Sequence, residues 1–179
     1  LHLKYIPKLH GGDLPNRINK NPRLSKMIFK NAYCNVAPSS YLLEAFSHRG
    51  YARIEYIPNT IELINYPFKK RSQMEPRLLW VRSFASIYNP CMAIEVYQNL
   101  KNEYPNAALC MVGPDKDGSF EKARKMAIKN NLDVTFTGSL PKKDWIEISK
   151  QYDIFINTTH FDNTPVSVIE AMALGLPIV

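Results

Sequence analysis

Two acids near the end of the chain, Asp162 and Glu170, stand with seven residues between them, around what reads as the start of a helix. Thr164 followed by Pro165 has the pattern of an N-cap and a first-turn proline, while Gly175 and Pro177 mark the helix stop. Between these signals every side chain except Ser167 and Glu170 is apolar, so burial on most faces is expected. A lone carboxylate in such a helix costs on the order of several kcal/mol unless something pairs with it or donates hydrogen bonds to it. A ribose, with its hydroxyl donors, is one such partner. Asp162 lies on the loop leading into the helix N-terminus, where backbone N–H groups and the helix dipole favour anionic groups. The pattern suits a pocket for a sugar and a phosphate.

Other positions carry weaker signals. Gly113 ends one apolar strand-like run and Gly138-Ser139-Leu140 follows another, allowing close backbone approach, although tight turns need glycine at such places too. His10 precedes Gly11 and Gly12, which leave its imidazole in a loop with room for a ligand; the same pair also reads as a plain turn. His2 and His160 are less well placed. The four His are scattered, and Cys34, Cys91 and Cys110 show no CxxC spacing, so no metal site is expected. Cys34 and Cys110 sit in apolar strand-like runs, which favours a reduced, buried role and a cytoplasmic location.

The elements that must position these residues alternate from about residue 76. Strands are expected at 78–81, 107–112, 134–136 and 154–156, with helices at 92–104, 119–130, 141–152 and 165–174. That order calls for a parallel sheet covered by helices, whose ligands bind at the carboxyl ends of the strands. The loops after Val81, Val112, Phe136 and Ile156 then share one rim. Earlier in the chain, 35–37 and 54–57 read as strands flanking a helix that opens at Pro38-Ser39-Ser40 and runs to His48. Residues 62–76, with Pro67, Pro76 and Lys69-Lys70-Arg71, have linker character.

The run Glu170-Ala171-Met172-Ala173-Leu174-Gly175-Leu176-Pro177-Ile178-Val179, with an acid eight positions before Glu170, resembles the donor-site signature of GT4-type (group 1) GT-B glycosyltransferases. Asp162 stands where that family usually has Glu. The resemblance implies an α/β fold of the GT-B kind, with two Rossmann-like domains, parallel sheets flanked by helices, and a cleft between them. Residues 1–65 would be the C-terminal part of the acceptor-binding domain, 66–76 the linker, and 77–179 the N-terminal part of the nucleotide-sugar donor domain. The chain begins without Met and stops at Ile178-Val179, mid-strand by pattern, so both domains are expected to be incomplete in a fragment.

The implied reaction moves a sugar from a nucleotide-diphosphate sugar to an acceptor hydroxyl, with retention, without a metal and without a separate cofactor. It belongs to cell-surface polysaccharide or glycolipid synthesis. By the same resemblance Arg82 meets the departing diphosphate together with the helix entrance Asn163, Thr164, Pro165 and Val166. Glu170 accepts from the ribose hydroxyls, the base lies beside Gly138, Ser139 and Leu140 with Gly113 nearby, and Asp162 and His10 face the transferred sugar. Two departures stand out. Val81 replaces the usual Gly before Arg82, and Ser86-Ile87-Tyr88-Asn89-Pro90 has no cation where the family places a Lys. A non-catalytic sugar-nucleotide-binding scaffold and a GT-B nucleotide-sugar epimerase therefore stay open as alternatives.

Residues 1–30 hold seven cationic side chains against one acid, Asp13, and so carry nearly all of the net charge of +7. Such a segment suits a lipid-linked or phosphorylated carbohydrate acceptor and peripheral contact with an anionic inner membrane face, or else a solvated surface. No RNA-recognition pattern accompanies it, so nucleic acid is not an expected partner. No apolar run approaches the roughly 20 residues of a membrane-spanning helix, and Leu1-His2-Leu3-Lys4 leads into no leader-like core.

Overall fold

The computed structural model describes residues 4–11 and 14–179; His2, Gly12 and Asp13 lie outside them. The chain divides into a unit that ends at Thr60 and also takes in Phe161–Pro165, and a second unit made of Ile61–His160 and Val166–Val179. Both are α/β, with parallel sheets flanked by helices.

In the first unit, helices α1 (Leu14–Lys20) and α2 (Pro22–Lys30) precede strand β1 (Asn35–Ala37), helix α3 (Ser40–Ser47) and strand β2 (Ile54–Tyr56). β1 and β2 pair in parallel, and Lys8 bridges Val36 in parallel on β1. Leu9, Ile18, Ala37, Leu42 and Phe46 form the core. The Ser39 hydroxyl caps α3 by accepting from the Leu42 N–H at 3.3 Å. α2 is strongly amphipathic: Ser25, Ile28 and Phe29 face inward, and Leu24 and Met27 are more than half exposed. Cys34 is half-buried and just precedes β1 instead of lying within a strand.

The second unit is a four-stranded parallel sheet in the order β5-β4-β3-β6, from β3 (Arg77–Val81), β4 (Ala108–Val112), β5 (Val134–Gly138) and β6 (Ile154–Phe155). Ile178 adds a parallel bridge to Phe155. Side chains alternate across the sheet. Leu78, Trp80, Leu109 and Met111 pack under α4 (Pro90–Glu103) and α5 (Ser119–Lys129). Leu79, Cys110, Val112 and Phe155 pack on the other face with Trp145 and Ile146 of α6 (Lys142–Ser149) and Ala171 of α7 (Val166–Ala173). Helices on both faces satisfy a sheet whose strands are apolar on both sides.

Residues 66–76 are mostly exposed and are anchored on this unit at Tyr66, Lys69 and Arg71. Tyr66 joins the α6/α7 core, and the Arg71 side chain is 3% exposed. Arg71 donates to the carbonyls of Ser149 and Leu174 at 3.1 and 2.8 Å, so one guanidinium satisfies carbonyls at the ends of α6 and α7. Burial lowers its pKa, and Asp153 at 3.7 Å opposes that shift.

Helix α7 differs from expectation in two ways. It begins at Val166, and the Thr164 hydroxyl, expected as a cap, instead donates to the Pro38 carbonyl at 2.9 Å. Glu170 and Ala171 are buried, Ser167, Val168, Ile169 and Ala173 are half-buried, and Val166 and Met172 are exposed, Met172 to 61%. Its C-terminus closes as the glycine stop implied. Gly175 has φ +77°, its N–H donates to Met172, and the Leu176 N–H donates to Ala171. This is a Schellman motif.

Candidate functional site

The carboxyl edge of the larger sheet gathers five of the singled-out residues. Arg82 leaves β3, and its N–H donates to Val112 at 3.0 Å, holding the start of the Arg82 loop against the end of β4. Gly113 has φ +151°, and a Cβ there would land on the Arg82 carbonyl, so no other residue allows this approach. The Gly113 N–H donates to the Gly138 carbonyl at 2.8 Å, joining the β4 and β5 ends. Between these strand ends lies a pocket of about 230 Å³, lined by Arg82, Gly113, Ser139 and Leu140 together with Ser83 and Trp145.

Arg82 is half-buried, and its guanidinium carbon lies 5.1 Å from the centre of the Tyr88 ring. Tyr88 belongs to the cation-free segment Ser86–Tyr88, a single 3₁₀ turn. Asp117 secures that turn. Its Oδ2 accepts from the Ser86 N–H and hydroxyl, each at 2.8 Å, and its Oδ1 accepts from the Ser119 N–H and hydroxyl. These donors, with the Ser119 hydroxyl foremost, hold the exposed Asp117 carboxyl far below the usual carboxylate range.

Glu170 is 4% exposed. Its partners are within the protein: the Tyr66 hydroxyl donates to Oε1 at 2.7 Å, and Lys142 Nζ reaches the same oxygen at 2.5 Å. The bond to Glu170 is the main cause that raises the Lys142 pKa, with a further contribution from Tyr66. Burial, and then the Glu170 bond, raises that of Tyr66. Neither partner had been singled out, since they lie 104 and 28 residues from Glu170 in sequence. Val166 opens α7, and the next residue, Ser167, has a buried hydroxyl that meets no hydrogen-bond partner among the described residues. Ser167 is thus a further polar group at this helix entrance. Its signal was available as one of only two polar residues in the run.

In the first unit, Asp162, Asn163, Thr164 and Pro165 are tied to the carboxyl ends of β1 and β2. Asn59 Nδ2 donates to the Thr164 carbonyl at 2.8 Å, and the Ser39 hydroxyl reaches Asn163 Oδ1 at 3.5 Å. The rings of Tyr41 and Phe161 meet edge-on at 5.2 Å. Asp162 Oδ1 accepts from the Asn163 N–H at 2.7 Å, fixing the carboxylate against its own loop. His10 is exposed, two residues beyond the Lys8 bridge to β1, so it lies on the carboxyl edge to which this loop is attached. The structure thus groups the site residues in two sets. His10 and Asp162–Pro165 lie on the first unit; Arg82, Gly113, Gly138–Leu140, Val166 and Glu170 lie on the second. Among the described residues no His, Cys, Asp and Glu cluster suits a metal ion.

Comparison with known proteins gives this geometry a context. The profile of the family "Glycosyl transferases group 1" matches residues 64–179. HepE of Anabaena, solved with UDP and glucose, has the same fold, with a TM-score of 0.80 and 17% identity over 98% of this chain and 52% of that one. Sucrose-phosphate synthase from Thermosynechococcus elongatus matches with a TM-score of 0.79 and 18% identity over 99% of this chain and 50% of that one. TarM of S. aureus, solved with fondaparinux, alpha-GlcNAc-glycerol and UDP, matches with a TM-score of 0.80 and 17% identity, covering 98% of this chain and 36% of that one. The chain therefore spans about half the length of the first two and about a third of the last. The shared architecture is the GT-B fold.

Proposed function

Because the chain belongs to the group 1 glycosyltransferase family, we propose that it binds a nucleotide-diphosphate sugar and serves transfer of the sugar to an acceptor hydroxyl. The observation that carries this reading is the pocket at the carboxyl edge of the second unit's sheet, where Arg82 meets Gly113, Ser139 and Leu140. Parallel α/β sheets bind ligands at that edge.

Loss of the sugar leaves a nucleoside diphosphate with growing negative charge. Arg82 offers it a two-pronged, charge-assisted hydrogen bond, and the α7 entrance adds backbone N–H groups and the Ser167 hydroxyl. Tyr88 packed on the guanidinium limits its motion, partly offsetting the absent lysine. The base would lie against Ser139 and Leu140, and Glu170 would accept from the ribose hydroxyls. Asp162 would meet the sugar, its side chain one methylene shorter than the family Glu, and His10 would bond the sugar or handle the acceptor proton. By the family resemblance, transfer retains the anomeric configuration and needs no metal. Polysaccharide or glycolipid synthesis is the pathway class. HepE and TarM, solved with UDP, support a uridine nucleotide as the first donor to try.

A lipid-linked or phosphorylated acceptor suits the cationic first unit. Lys26, Lys30 and Arg49 line a depression of about 570 Å³ beside exposed Leu24 and Met27. Mixed cationic and apolar exposure of this kind favours peripheral contact with an anionic membrane.

The test is incubation of the intact protein with a panel of nucleotide-diphosphate sugars and candidate acceptors in excess EDTA, with NMR of the product's anomeric centre. Transfer with retention is expected. Binding without turnover would instead favour a sugar-nucleotide-binding scaffold, a reading favoured by the cation-free Ser86–Tyr88 turn. Turnover to an epimer of the donor would favour an epimerase.

A further inference from the structure

Tyr66 and Lys142 have no part in the reading above, yet they make the two side-chain hydrogen bonds that the buried Glu170 carboxylate receives. The Tyr66 hydroxyl and Lys142 Nζ both reach Oε1, and among the described residues no hydrogen bond reaches Oε2. Tyr66 is 6% exposed and fixed in the α6/α7 core, so its hydroxyl is a rigid anchor. The Lys142 side chain is 58% exposed and supplies the opposite charge from the start of α6. Removing either donor leaves a buried carboxylate short of a partner and free to turn.

We propose that Tyr66 and Lys142 are positioning residues that hold one oxygen of Glu170 and leave the other to accept from a ribose, so that together they set the preference for ribonucleotides. This rests on the nucleotide-site reading. Tyr66 acts by direction: its short bond fixes the plane of the carboxylate. Lys142 acts by charge: its ammonium sits against the same oxygen and adds a charge-assisted bond to it. A ribose offers hydroxyl donors; a dideoxyribose offers none, so only the first reads how Glu170 is held.

The experiment is calorimetry of the intact protein with UDP, GDP and ADP and with the 2′,3′-dideoxy form of each. The unsubstituted protein is expected to bind at least one ribonucleotide more tightly than its dideoxy form. Tyr66→Phe, which keeps the ring in the core, should weaken the ribonucleotide about three- to tenfold and leave the dideoxy form within about twofold. Lys142→Met should act in the same direction. On a Glu170→Gln background, Tyr66→Phe should have no further effect on the ratio, since the carboxylate it orients is gone. An equal loss for both nucleotide forms, or an unchanged ratio in both variants, overturns the proposal while the nucleotide-site reading stands. Binding by the unsubstituted protein without a ribose preference removes the role of Glu170 and this inference with it. No binding of any of the three diphosphates overturns the parent reading itself.

Discussion

Among the described residues Arg82 is the one cation lining the pocket at the strand ends, with Tyr88 over its guanidinium. If it holds a diphosphate, Arg82→Ala should weaken binding of a nucleoside diphosphate by about ten- to hundredfold and leave binding of the parent nucleoside unchanged, as calorimetry can read. Equal losses for both would assign Arg82 a merely structural part. Asp117 makes a separate prediction. Its carboxyl is depressed in the folded protein by its serine donors, so its contribution to stability is full above the ordinary unfolded value, about 3.9, and is lost as pH falls through the folded value. The gap in Tm between the unsubstituted protein and Asp117→Asn should be constant from pH 7 to 5 and shrink steadily below about pH 4. A pH-independent gap would remove the linkage. At this scale the sequence was informative where a residue breaks a pattern. Glu170 stood out as the one acid in an apolar run, but its partners could not be read, because neither Tyr66 nor Lys142 is near it in sequence and each is unremarkable in its own segment.

At the scale of elements, the site depends on how closely strand ends approach. Gly113 lets the end of β4 pass against the Arg82 carbonyl, and its N–H ties β4 to Gly138. Gly113→Ala should lower stability by more than about 1 kcal/mol, since both its positive φ and the collision must be relieved, and should weaken nucleotide binding with it. Thermal unfolding checks the first and calorimetry the second; an unchanged Tm would show that β4 and Arg82 can separate at no cost. The alternation of strands and helices from residue 77 onward was legible, because the short apolar runs and their Gly and Pro boundaries repeat with the right spacing. The strand order was not, since spacing fixes neither which strands are neighbours nor that β3 lies between β4 and β6. How deeply each position of α7 is buried was not legible for a related reason. Composition shows that a helix is apolar, but not how many of its sides meet a neighbour.

At the scale of the whole molecule, the charge and the loop around Asp162 matter most. Helix α2 and its surroundings expose Arg23, Lys26 and Lys30 beside Leu24 and Met27. The intact protein should sediment with vesicles rich in phosphatidylglycerol but not with phosphatidylcholine, and release should follow added salt. Lys20→Glu, Lys26→Glu and Lys30→Glu should each weaken that binding; binding insensitive to both salt and these changes would discard the membrane reading. The grouping of Phe161–Pro165 with the first unit was invisible in sequence, because the contacts of Thr164 with Pro38 and Asn59 span more than a hundred residues. What the sequence did carry was the family-like run ending at Val179 and the positions of Arg82, Gly113 and Gly138 at strand ends.

The proposed nucleotide-sugar site is built on Arg82 and Glu170. Thermal unfolding of the intact protein with a panel of nucleotide-diphosphate sugars tests it most directly, because a ligand that binds the folded state at a hundred times its Kd adds about 2.7 kcal/mol of stability. At least one of them should raise Tm, the matching sugar 1-phosphate should not, and Arg82→Ala and Glu170→Gln should each abolish most of the shift. An absence of any shift across the panel, or a shift indifferent to both substitutions, would contradict it.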